Sequence, residues 1–188
     1  MSSLSLAIPA TAQTDIPTSA FTRERDGTLA HSGSILQFPE AVAGFRRTGN
    51  AVFDPGGAYV GVRYLMPLGQ DAQIQLTIAI VQIGQMTPKT HYSIMKPMAF
   101  RGLYKVQVIA ERPYTRAGGA PGHRGIFKAV RNGRPKMVDL RAFEQGSWHL
   151  RSRGEFPATH RIQAEKAIDD LVSQLSAINR SDQTAPTR

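Results

Sequence analysis

A chain of 188 residues with a net charge of +9 and no cysteine has room for one hydrophobic core, since domains typically hold about 100–150 residues. The missing thiols exclude a cysteine-ligated zinc site, a redox pair and a thiol nucleophile, and no run of about 18 apolar residues is present to span a membrane as a helix. The charge is concentrated between positions 89 and 161, where 15 Lys/Arg stand against four Asp/Glu, a net of +11, while the remainder sums to −2; such a field attracts anionic partners.

The N-terminus carries the short apolar run Leu4-Ser5-Leu6-Ala7-Ile8, then Pro9 and Ala10-Thr11-Ala12 before Gln13. That small-x-small pattern has the form of a signal-peptidase site, although a basic n-region and a full apolar stretch are missing ahead of it. Residues 1–33 are therefore read as a leader: the remnant of a secretory signal cleaved after Ala12, followed by a polar, turn-rich, flexible segment. A single domain is expected over 34–179, with a disordered tail at 180–188.

Within the domain, Ile35-Leu36-Gln37-Phe38 is stopped by Pro39, and a strand is expected over 44–53 before the turn cluster Asp54-Pro55-Gly56-Gly57. Val60, Val62 and Tyr64 alternate with polar or small residues, as do Ile74, Leu76, Ile78 and Ile80. Both stretches read as strands with one buried face, joined by a hairpin through Pro67 and Gly69. Alternation of this kind indicates an antiparallel sheet. Residues 88–100 fit a short helix only weakly because of Pro97. Tyr104, Val106 and Val108 alternate again and are expected to face inward, so that Val108 shares a buried face with Ile78. A glycine-rich loop at 118–122 follows. Asn132-Gly133, the strongest short hairpin signal, separates strands near 125–131 and 137–143, and a further strand starts at Trp148. After Pro157, with Thr159 as N-cap, Ile162, Ile168, Leu171, Leu175 and Ile178 form one helical stripe. The fold class expected is α+β, an antiparallel sheet built from hairpins and packed against a C-terminal amphipathic helix.

Chemistry-bearing motifs are sparse. The 118–122 loop lacks phosphate-loop spacing and lies between strands rather than before a helix. His31, His91, His123, His149 and His160 show no metal-ligand spacing, and no nucleophile elbow surrounds any serine. No catalytic residue, metal ligand or cofactor is assigned. Asp169-Asp170 is expected to face solvent. The basic run over 112–153 remains: Lys128, Arg131, Arg134, Lys136, Arg141, Arg151 and Arg153 fall on consecutive strands, where alternation aligns several on one face. Of these, Arg131, Arg134, Lys136, Arg151 and Arg153 are the candidate anion-binding residues, because arginine's planar fork suits phosphate and carboxylate. Phe127, Phe143 and Trp148 are interleaved as in a single-strand nucleic-acid platform, but Trp148 and Leu150 share a parity opposite Arg151 and Arg153, which sends the aromatics to the core and the arginines outward.

The order of elements over 34–178, ending in Trp148-His149-Leu150-Arg151-Ser152-Arg153-Gly154-Glu155-Phe156-Pro157 and a closing helix, resembles small exported bacterial proteins and is similar in architecture to PsbP-like α+β domains. That resemblance implies an extracytoplasmic binding or accessory role and supplies no functional residue. The expected function is an exported, non-enzymatic protein of the bacterial envelope, periplasmic or secreted, whose basic sheet face contacts an anionic envelope component or an acidic protein. The alternatives are a cytoplasmic nucleic-acid-binding module and a hydrolase with a non-local site.

Overall fold

The alternating segments do become strands, and they join into one sheet with helices on both faces. The computed structural model describes residues 20–34, 36–82, 84–115 and 120–181. In chain order these form β1 (Phe21–Arg23), β2 (Leu29–His31), β3 (Gln37–Phe38), β4 (Ala41–Val42), β5 (Phe45–Val52), β6 (Tyr59–Pro67), β7 (Gln73–Val81), α1 (Pro88–Ala99), β8 (Tyr104–Thr115), β9 (Pro121–Arg131), β10 (Arg134–Gln145), β11 (Trp148–Pro157), a 3-10 turn (Ala158–His160) and α2 (Arg161–Ser181). Strands β1 to β3 make a small sheet; the large one runs β4-β5-β6-β7-β11-β10-β9-β8, antiparallel throughout. The fold is α+β, as the pattern of alternation requires.

Strand register fixes what each face carries. On one face Leu76, Ile78 and Ile80 of β7 lie abreast of Gly154, Ser152 and Leu150 of β11, and these, with Phe156, abreast of Asp139, Arg141, Phe143 and Met137 of β10. This face is covered by α2 and the small sheet, and it holds the main core with Val60, Val62, Tyr64, Ile168, Leu171 and Leu175. Asn179 near the end of α2 clamps β3, accepting from the Gln37 amide at 2.6 Å and donating to its carbonyl at 3.3 Å. The opposite face carries α1 over β9 to β11, where Tyr92 and Ala99 close a smaller core on Phe127, Val138, Leu140 and Ala142.

Several expectations are corrected. Residues 20–33 belong to the fold: Phe21 packs edge-on against His31 and Phe38, and Leu29 and His31 are buried. Strands of three residues are too short to show a period. Helix α1 forms despite Pro97, because Thr87 caps it by accepting from the Thr90 amide at 3.2 Å, Pro88 occupies its first turn, and Pro97 falls in the last one. Val108 is 55% exposed and Tyr104 is exposed too, since β8 is an edge strand whose register slips twice against β9; bulges and an exposed Lys105 are features that guard such edges. In α2, Ile168, Leu171 and Leu175 are buried, but Ile162 is 87% exposed. Thr159 sits inside the 3-10 turn and its hydroxyl meets His160 Nδ1, so it does not cap α2. Helix α2 continues through Ser181, past the boundary expected at 180. The Ala12 cleavage site and positions 118 and 119 of the glycine-rich loop lie outside the described residues.

Candidate functional site

Register sends all five candidate anion-binding residues to the α1 face. Arg134 pairs with Arg131, Lys136 lies beside Ala129 and Pro157, and Arg151 and Arg153 oppose Ala79 and Thr77. Their electrostatic circumstances differ. Arg131 and Arg153 both grip Glu155, at 2.8 Å through Arg131 Nε and 2.8 Å through Arg153 Nη2. Burial would raise the Glu155 carboxyl, but the hydrogen bonds from Arg153 and Arg131 outweigh it and hold the group below the usual range. Arg153 also donates through Nε to the Ala99 carbonyl at 2.8 Å, fixing the end of α1. Arg151 donates to the Tyr59 hydroxyl at 3.2 Å. Arg134 and Lys136 form no ion pair among the described residues. Both line an open cleft of about 450 Å³ at the end of the sheet, with Gln70, Asp71, Thr159 and His160 around it.

Two members of the basic run lie elsewhere. Arg141 and Lys128 fall on the α2 face, and Arg141 is completely buried. Its guanidinium reaches Asp139 through Nε at 2.8 Å and Nη2 at 2.6 Å, Asp169 of α2 at 2.5 Å and the Tyr114 hydroxyl at 3.2 Å. Burial alone would lower the Arg141 pKa; Asp139 and Asp169 reverse that and raise it. Arg124, also buried, joins Asp139 at 2.6 Å and Glu165 at 3.3 Å. Asp169, whose side chain is 45% exposed, thus faces solvent while also joining this network, and Asp170 pairs with Lys166 along the helix. The network ties α2 to β9 and β10. Phe127, Phe143 and Trp148 are buried, so none of these three forms an aromatic platform beside the arginines.

Among the scattered histidines the fold joins His91 and His149, ring centroids 5.4 Å apart and both buried, with neither Nδ1 hydrogen-bonded to another described group. Burial, then His149, then Arg151 lower His91 to about 4, and burial lowers His149 against the opposing pull of Glu144. Among the described residues no three His, Cys, Asp or Glu side chains converge as metal ligands would. The pair predicts an acid dependence. Unfolded imidazoles titrate near 6.5, so below that pH the unfolded chain takes up protons that folded His91 refuses. Stability is full above about pH 7 and is lost as pH falls from about 6.5 to about 4. Urea unfolding at pH 7.5, 6 and 4.5 checks this, and His91→Gln should flatten the slope; a wild-type midpoint constant over that range contradicts it.

Fold and site together define an α+β protein with a basic, partly uncovered sheet face. No protein-family model matches the sequence, and no curated protein matches it. Solved structures similar in fold include a Pseudomonas aeruginosa protein of unknown function described as a putative regulator (14% identity over 81% of this chain and 90% of that one, TM-score 0.45). LpqN of Mycobacterium tuberculosis, involved in cell envelope biogenesis, is similar at 16% identity over 70% of this chain and 76% of its own, TM-score 0.47. The cyanobacterial PsbP protein CyanoP of Synechocystis is similar at 15% over 71% and 92%, TM-score 0.42. The resemblance to PsbP-like architecture expected from the element order recurs here, and at these identities it concerns the fold alone.

Proposed function

We propose that this is an exported, non-enzymatic binding or accessory protein of a bacterial envelope that holds an anionic partner against the α1 face of its sheet. One observation carries the reading: strand register gathers five cations on that face, and two of them, Arg134 and Lys136, line an open cleft and form no ion pair among the described residues, Asp71 of the same cleft included. Cations free of internal partners can release counterions to a polyanion, which makes such binding salt-dependent. Arg153 serves less well as a probe, since replacing it would leave Glu155 to Arg131 alone and free the end of α1.

The test is a titration of heparin and of single-stranded DNA into wild type and the Arg134→Gln/Lys136→Gln double variant at several salt concentrations. Wild type should bind heparin with an affinity that falls steeply as salt rises, and the double variant should bind several-fold more weakly. Its stability should stay within about 0.5 kcal/mol of wild type, as for ordinary surface substitutions. Preference for single-stranded DNA over heparin would favour the nucleic-acid module instead, and no binding of either at low salt would end the proposal. Intact mass of the native protein should place its first residue at Gln13; retention of Met1 in a cytoplasmic fraction would contradict export.

A further inference from the structure

Several strands of the large sheet finish at one end of the molecule, and the surface there combines exposed cations with exposed apolar side chains. Pro157, the last residue of β11, lies abreast of Lys136 of β10, and the turn at Asn132-Gly133 sets Arg134 abreast of Arg131. The hairpin between β6 and β7 closes at the same end, with Pro67 abreast of Gln73. From Pro157 the chain passes through the 3-10 turn straight into α2. The exposed ring of Tyr104 belongs here too, since its hydroxyl accepts from the Gly133 amide at 2.8 Å.

The cleft that Arg134 and Lys136 line adjoins a second one. Thr159 and His160 line both, and beyond them Arg161, Ile162 and Gln163 line an open hollow of about 570 Å³ at the start of α2. Ile162 is 87% exposed, more than any other large apolar side chain described, although the helix that carries it is docked through Ile168, Leu171 and Leu175. A single exposed apolar side chain is ordinary; this one projects from a firmly packed helix beside two cations that have no ion-pair partner among the described residues. Arg161 is held by Glu165 at 2.6 Å, and Asp71 is the one carboxylate lining the two clefts.

We propose that this end of the protein docks on an anionic lipid surface, with Ile162 entering the boundary between headgroups and acyl chains while Arg134 and Lys136 meet the lipid phosphates. The inference rests on the reading of the Arg134–Lys136 cleft as an anion site and names the anion. Binding at such an interface grows with buried apolar area and with attraction to anionic lipids together, and both contributions are present side by side here. A dissolved polyanion would use the cations and offer nothing to Ile162. Tyr104 suits the same setting, because a ring with one polar end sits well at headgroup level. Shallow, open clefts fit a broad surface better than they fit a small molecule, whose sites enclose most of it.

The test is co-sedimentation of the full chain with vesicles of phosphatidylcholine alone and of phosphatidylcholine carrying phosphatidylglycerol, at several salt concentrations, beside the heparin titration. Wild type should sediment with the anionic vesicles and not with the neutral ones. Ile162→Ser, a substitution at an exposed position with circular dichroism as the folding control, should weaken vesicle binding about tenfold, the loss expected for an apolar side chain taken out of water, and leave heparin binding unchanged. Arg134→Gln/Lys136→Gln should weaken vesicle binding about thirtyfold, as for two cations near an anionic surface, and weaken heparin binding as well. Failure to sediment with anionic vesicles at low salt, or equal vesicle binding by Ile162→Ser, would overturn the lipid inference. Retained heparin binding in either case leaves the cleft standing as an anion site for a soluble partner, whereas loss of both ligands in wild type overturns the two readings together.

Discussion

Asp139→Ala is expected to destabilise the protein by about 3–5 kcal/mol, the usual cost of breaking a buried ion pair by removing one partner. Asp139 is fully buried and accepts from two guanidinium groups, Arg124 at 2.6 Å and Arg141 at 2.8 and 2.6 Å. Its removal leaves Arg141 charged and enclosed, with Asp169 as its remaining carboxylate. The loss is asymmetric: taking away the acid strands two cations, while replacing the whole buried group by apolar residues of similar volume removes all three charges and can be close to neutral. Urea unfolding of Asp139→Ala beside an Arg124→Met/Asp139→Leu/Arg141→Met triple variant separates the two. A single-variant effect below about 0.5 kcal/mol, the scale of an ordinary surface change, would mean that water reaches the network and the burial assignment is wrong.

Leu171→Ala should cost about 2–5 kcal/mol, the range for emptying a well-packed leucine site. Leu171 is fully buried in the main core, on the face where α2 lies against the large sheet, with Ile168 one turn before it and Leu175 one turn after. The effect should appear in the midpoint of denaturant unfolding with the slope unchanged, because a cavity alters stability without altering the surface exposed. Loss of less than about 0.5 kcal/mol would place the helical stripe toward solvent.

How much of this was legible in the sequence depends on how local each signal is. The hairpin at Asn132-Gly133 was fully readable, since both residues take positive φ (50° and 75°) as the mirror-image turn demands. The buried parities of β6 and β7 were readable for the same local reason. Val108 was not, because alternation reports which side a residue takes and not whether anything covers that side; coverage depends on β8 lying at an edge. The five candidate cations reached one face as parity required, but their partners Glu155, Tyr59 and the Ala99 carbonyl come from other elements or other registers. The internal network does leave a trace in the sequence: Asp139 and Arg141 share a parity with Met137 and Phe143, and opposite charges on an apolar parity point to a buried pair. The adjacency of β11 to β7 was invisible, since only the tertiary order of strands decides it.

That strand order also sets a timetable for the molecule's making. Residues 75–81 of β7 find their outer partner in residues 149–155 of β11, so as the chain is made from its N-terminus the meander from β4 to β7 is finished long before its neighbour exists. At about 5–20 residues per second, the bare edge of β7, with Ile78 and Ile80 beside it, waits several seconds for the strand that will fill it. Open edges of this kind are templates for pairing with other chains. Insertion of β11 joins the two meanders in one event. The nascent protein is accordingly in greatest need of a holding chaperone while residues 82–148 are emerging, and substitutions that weaken β11 should lower the yield of soluble protein more than they lower the stability of molecules already folded.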